Sequence, residues 1–346
     1  MTTPSGASWL GRGEVTPALI AALQTGAVIA PADVAVLALG GPGAVTAMQG
    51  LLTNDVEKPG EGAFVYGALL TPKGMIVVDG WAARPPLLGG NTVTLTVPAE
   101  ARDRALAIFT RSIPPRLART SDRSAEVRVL RLTGPQTLAQ AQVAGFALPG
   151  PGRVALAEVG GASCEIARAG DAAPFSVQIT APAASAAAIE ERFVAAGALA
   201  AGTAALECAR VLAGWPRLGA EVDDKTIPQE VRFDELAGLS YTKGCYTGQE
   251  TVSRLHFRGH ANRELRGLLF DADPAPDVVG VMQLDRDVGR VTSVAWIPES
   301  RIAGGGRWIG LAMLRREVTP GAVVRAAGRD ARVVALPFEL PFTAPA

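Results

Sequence analysis

The chain is poor in the residues that build metal, redox or membrane sites. It has only two histidines and three cysteines, and Cys164, Cys208 and Cys245 lie far apart. No CxxC pair and no Cys/His ligand spacing occurs, which argues against a zinc or iron–sulfur site built by this chain alone. The odd cysteine count points to a reducing, cytoplasmic compartment, as does an N-terminus without a basic segment leading into an apolar run. Lysine is scarce, with four residues, and 33 Lys+Arg balance 33 Asp+Glu. Zero net charge argues against a broad electrostatic surface for nucleic acid or anionic membrane. The uncharged stretch 15–32 is interrupted by Pro17, Gln24, Gly26 and Pro31. It reads as a buried helix followed by a strand, not a membrane span. No GxGxxG follows an expected strand, so no flavin or dinucleotide module is indicated.

What is present describes a folded protein. Hydrophobic residues make up 48% and charged residues 19% of 346, enough for two or three cores. Expected helices cover 17–24, 42–52, 98–111, 135–143, 183–196 and 203–212. Expected strands cover 34–39, 64–70, 75–81, 91–97, 126–132, 163–168 and 175–180, with a hairpin turn at Thr71-Pro72-Lys73-Gly74 and a loop at 148–153. After Asn262 short β-type runs separated by Gly and Pro take over, the pattern of a small barrel or sandwich. The fold class is α+β, with divisions at 1–125, 126–261 and 262–346, the first two open to interleaving.

Rare residues gather in one place. Tyr241, Lys243, Cys245, Tyr246, His256 and His260 fall within twenty residues. Gly244 and Gly248 argue for a tight loop, and a helix starting near Gly248 would put Glu250 at its positive end. Cys245, beside Lys243 and near Arg254 and Arg258, reads either as a buried thiol under the loop or as a reactive thiolate. The i, i+4 pair His256 and His260 lacks a third ligand, so no metal is expected. Arg254, Arg258 and Arg263 read either as a solvated face or as an anion site.

The string Lys243-Gly244-Cys245-Tyr246-Thr247-Gly248-Gln249-Glu250 resembles the KGCYxGQE signature of the YgfZ-type folate-binding family, relatives of the glycine-cleavage aminomethyltransferase. Segments 48–56, 70–74 with Asp79, 209–214, 227–230, 257–263, 289–293 and 310–316 follow in the family's order. The resemblance spans about 30–340. It implies two mixed α/β-sheet domains and a C-terminal antiparallel β-barrel around a central channel. It also implies tetrahydrofolate or a one-carbon derivative as ligand. The implied role is support of iron–sulfur assembly machinery or client iron–sulfur enzymes, some of them tRNA-modifying. On this resemblance Cys245, Lys243 and Asp79 are the candidate catalytic residues. Asn54, Asp79, Arg210, Gln229, Glu230, Tyr246, Gln249, Glu250 and Arg254 are the candidate folate contacts. The thiol is expected to face the folate cavity.

Two departures weaken the alternative, an aminomethyltransferase. Val78 stands where the transferase has the first of two acidic residues, and the turn 170–174 has no pterin-anchoring glutamate. A buried pterin edge needs a carboxylate, for which Asp79 and Glu230 are the candidates. Asp79 reads equally as a turn-capping or strand-end aspartate.

Overall fold

The computed structural model describes residues 7–159, 161–299 and 305–340. The chain opens with β1 (Ser8–Leu10), α1 (Pro17–Thr25), β2 (Val28–Pro31), β3 (Val34–Gly40) and α2 (Ala44–Gln49). The hairpin β4 (Phe64–Leu70) and β5 (Ile76–Ala83) follows, then β6 (Thr92–Pro98), α3 (Arg102–Ser112) and β7 (Arg119–Asp122). The middle holds β8 (Val127–Thr133), α4 (Thr137–Val143), β9 (Arg153–Val159), β10 (Ala162–Arg168), β11 (Val177–Pro182), α5 (Ala186–Ala195), β12 (Leu199–Ala200) and α6 (Thr203–Ala213). Helix α7 (Gln249–Arg258) leads into β13 (Arg263–Phe270), β14 (Gly280–Gln283), β15 (Arg286–Pro298), β16 (Gly306–Arg315), β17 (Val323–Ala326) and β18 (Arg329–Val334).

These strands form three sheets. The first has the order β4-β5-β6-β3-β7 and the second β12-β2-β8-β11-β10-β9. The third runs β15-β14-β17-β18-β13-β16, and β16 pairs back with β15 to close a six-stranded antiparallel barrel. Closure leaves no exposed edge. Sheet membership does not follow chain order. Strand β1 adds to the barrel in parallel with β15, and β2 pairs with β8 in the second sheet. With β3, which pairs with β6 in the first sheet, the N-terminal 40 residues contribute a strand to each of the three sheets. Among the described residues no helix is long and apolar enough to cross a membrane.

Local signals account for most elements. Thr16 caps α1 by accepting the Leu19 N–H at 3.1 Å, and Pro17 starts the helix. The helix expected over 42–52 covers only Ala44–Gln49, and the carbonyls of Gln49, Leu52 and Asn54 serve another partner, described next. The helix expected from 98 starts at Arg102, since β6 runs through Pro98 and a 3-10 turn intervenes. The loop expected at 148–153 is followed by strand β9, for which the sequence offers no expected element; its residues alternate only weakly between buried and exposed.

The loop before α7 lies along segment 49–54. Ser240 N–H donates to the Thr53 carbonyl, Thr247 N–H to Gly50, and Thr53 Oγ1 to Gly238. The central tie is Lys243. Its Nζ donates to the carbonyls of Gln49 and Leu52 at 2.6 Å each and of Asn54 at 2.8 Å. Three donors meet three acceptors, with the Tyr246 ring 5.1 Å below. Burial pushes the lysine down to about 8, against the pull of Asp55 and Glu57, so it stays charged at pH 7. Gly248 has φ +83, and a Cβ there would meet the Thr71 carbonyl at 2.6 Å. The hairpin turn therefore packs directly against the start of α7. Gly244 has open space and no positive φ, so its backbone does not demand glycine.

Replacing Lys243 with Met keeps the aliphatic stem and strands three carbonyls. The expected cost is about 2–4 kcal/mol in urea unfolding. An unchanged midpoint would refute the clamp.

Candidate functional site

A cavity of about 380 Å³ lies where the three sheets meet, lined by residues of β1, β5, β6, β8 and the start of α6. Its size suits a small organic ligand. Asp79 on β5 is its buried carboxylate. Tyr66 on β4 donates its hydroxyl to Asp79 Oδ2 at 2.8 Å, while Oδ1 is buried with no partner. Burial raises Asp79 to about 6, partly offset by the Tyr66 hydrogen bond. The same burial and the neighbouring carboxylate hold the Tyr66 hydroxyl protonated, well above the usual tyrosine range.

Aromatic rings surround the carboxylate. Tyr66 sits 5.4 Å from Trp81 and 4.4 Å from Trp215, and Trp81 stacks on Trp215 at 5.9 Å and 12°. Phe175 meets Trp81 edge-on at 5.0 Å. Gly80, also in the lining, lets β5 come this close to β6, since a Cβ there would meet the Thr96 carbonyl at 2.4 Å. Arg131 on β8 places its guanidinium over Phe175, 4.3 Å from the ring centroid.

Arg210 also lines the cavity, and its donors are already engaged. It binds Glu207 at 2.7 and 2.8 Å, Glu221 at 2.9 Å, the Trp215 carbonyl at 2.7 Å and Ser293 at 2.6 Å. The network joins α6 to barrel strand β15. The arginines hold Glu207 at about 2 despite its burial. Arg210 thus shapes the wall more than it offers free donors.

The other expected contacts lie elsewhere among the described residues. Asn54 donates to the carbonyls of Tyr66 and Ala237, anchoring its loop. Glu230 is held by Arg263 through two bonds of 2.9 Å, which engages it away from the cavity and leaves Asp79 as the pterin-carboxylate candidate. Gln229 donates to the Val252 carbonyl, and Gln249 accepts the Tyr246 N–H. Tyr246 lies buried under Lys243, while Glu250 and Arg254 are exposed on α7.

Cys245 is exposed, whereas Cys164 and Cys208 are buried. It is outside the cavity lining, and Lys243 turns inward to its carbonyls rather than toward the thiol. The expectation that the thiol faces the cavity is therefore corrected. The glycine-flexed loop presents it to solvent, and the clamp fixes that loop. His256 stacks on Tyr241 at 3.7 Å, and no three or more His, Cys, Asp and Glu among the described residues are arranged for a metal.

Sequence reading missed Tyr66, Trp81, Phe175, Trp215 and Arg131. Aromatic scarcity was the available signal for the rings. For Arg131 it was a charge in phase with Val127 and Val129 on an inward strand face.

The family described as GCVT N-terminal domain matches residues 24–240. A protein named aminomethyltransferase from Rubrobacter xylanophilus is 32% identical over 312 residues, 87% of this chain and 80% of that protein. Proteins named tRNA-modifying protein YgfZ match shorter spans. The one from Vibrio vulnificus YJ016 is 37% identical over 119 residues, 33% of this chain and 36% of that protein. The crystal structure of glycine cleavage system aminomethyltransferase T from Bartonella henselae shares the fold, with TM-score 0.76 at 18% identity, over 96% of this chain and 94% of that one. On this match and the KGCYTGQE string, the chain belongs to the glycine-cleavage aminomethyltransferase family as a YgfZ-type relative.

Proposed function

We propose that the protein binds tetrahydrofolate or a one-carbon derivative and serves as an accessory in iron–sulfur cluster assembly or repair, supporting iron–sulfur enzymes such as tRNA-modifying ones. The carrying observation is the buried Asp79 Oδ1, which lacks a partner inside an aromatic cavity of about 380 Å³. A reduced pterin fits this donor set. Its ring offers N–H groups to the carboxylate and a flat face to Trp81 or Trp215. Bound folate supplies carriage of one-carbon units. The chain's own residues do the rest: Tyr66 orients Asp79, Arg210 holds the wall, and the Lys243 clamp presents Cys245. The exposed thiol is the group available to a client protein or to the assembly machinery.

A second reading, aminomethyl transfer of the glycine-cleavage type, draws on the 32% identity to the Rubrobacter protein. Val78 is fully buried where that chemistry expects an acidic residue. Release of ammonia from an aminomethyl-lipoyl carrier with tetrahydrofolate would establish it; none at high protein concentration removes it.

Asp79 must be ionised to accept a ring N–H. Its folded value of about 6 exceeds the unfolded 3.8, so the folded state holds the extra proton between these values. Tetrahydrofolate affinity is expected to rise roughly tenfold from pH 5 to pH 7, as Asp79 loses its proton. Asp79→Asn should bind weakly with no such rise. In the free protein Asp79 takes stability away as pH climbs from 3.8 toward 6, and Asp79→Asn should flatten that slope. Calorimetry and urea titrations read both; a pH-independent affinity in the wild type counts against the role of Asp79.

In cells lacking this protein, the wild type is expected to restore an iron–sulfur-dependent tRNA methylthiolation activity and Cys245→Ala to fail. Full restoration by Cys245→Ala would remove the thiol from the function.

A further inference from the structure

One cation in the cavity has no acid to answer it. Arg210 is saturated by Glu207 and Glu221, and Arg217 lies 3.4 Å from Glu207. Arg131 makes one hydrogen bond, from Nε to Gln178 Oε1 at 3.1 Å. Among the described residues its Nη1 and Nη2 make no hydrogen bond and no carboxylate forms an ion pair with it, Asp79 acting on it only through longer-range attraction. The Phe175 ring below and the Gln178 bond fix the plane of the guanidinium, so its free donors have a set direction. Arg131 and Asp79 line the same cavity and influence each other electrostatically.

Ionised Asp79 only accepts hydrogen bonds, and arginine only donates them. A ligand that satisfies both must show a donor to Asp79 and an acceptor to Arg131. A cyclic amide does so through its N–H and C=O. The carbonyl of a fused 4-oxo ring is also the counterpart of the guanine O6 that arginine reads in nucleic acids. Donors facing an amino group instead would be enclosed by the ligand yet stay unpaired, and such mismatches are strongly rejected.

Resting on the folate reading, we propose that Arg131 is a specificity-determining residue that, with Asp79, selects a 4-oxo pterin ring by donating to its carbonyl edge. A 4-amino ring reverses both partners and is refused. Arg131 reads the heterocycle itself, not the flexible tail.

The test is anaerobic calorimetry of the full chain with tetrahydrofolate and with its 4-amino counterpart, which differs only at ring position 4. The wild type is expected to prefer the 4-oxo compound by at least tenfold. Arg131→Met should shrink that ratio at least fivefold, and Arg131→Lys, which keeps a donor, should retain more of it. A merely structural role would weaken both ligands together and leave the ratio unchanged, which overturns the inference. A wild type that binds both compounds without preference also overturns it and leaves folate binding intact. A wild type that binds neither overturns the folate reading and this inference with it.

Discussion

A carboxylate sealed among aromatic rings must keep its proton or find a partner. Asp79 has half of what it needs, because Tyr66 satisfies one oxygen and no group among the described residues satisfies the other. The surrounding fold reads as the means of sustaining that arrangement. The β4–β5 hairpin carries both Tyr66 and Asp79 on adjacent strands, and Gly80 lets β6 close in behind them. Phe175 arrives from the second unit and Trp215 from beyond α6, so the cavity exists only when the three sheets are assembled. Burying a carboxylate oxygen without a partner is costly, and on the proposed reading a ligand that brings N–H donors offsets that cost.

The second constraint is the Lys243 ammonium on three carbonyls. It ties the loop before α7 to segment 49–54, and Gly248 presses that loop against the hairpin turn. Motifs nearly 200 residues apart in sequence thereby become one surface. The cavity and the exposed thiol share the hairpin as common support yet face different surroundings. The cavity thus lies in the interior, and the exposed thiol of Cys245 lies on the outside.

Much of the architecture was legible because local signals agreed with the fold. The β4–β5 hairpin, α1 with its threonine cap and the run of short barrel strands all carry their own punctuation. The site was less legible because direction is a tertiary property. Lys243 beside Cys245 in sequence reads as a thiolate's counter-ion, but the loop turns one inward and the other outward. Glu230 reads as a ligand carboxylate, but Arg263 claims both oxygens. Arg210 reads as a ligand contact, and it does line the cavity, though its donors serve the link to the barrel. The β4–β5 hairpin with Tyr66 and Trp81, the segment of Phe175 and that of Trp215 converge from three distant places with no spacing rule to announce them. Strands β9 and β14 lack clear alternation, so their sequence gave no reason to set them apart.

The central claim is that a buried, half-satisfied Asp79 receives the ring of a reduced folate. Proton release on binding tests it most directly, by calorimetry with tetrahydrofolate at pH 6 in buffers of different ionisation heat. With Asp79 near 6, the account predicts release of roughly half a proton per ligand by the wild type and none by Asp79→Asn. Binding without proton release, or equal release by both proteins, would contradict it.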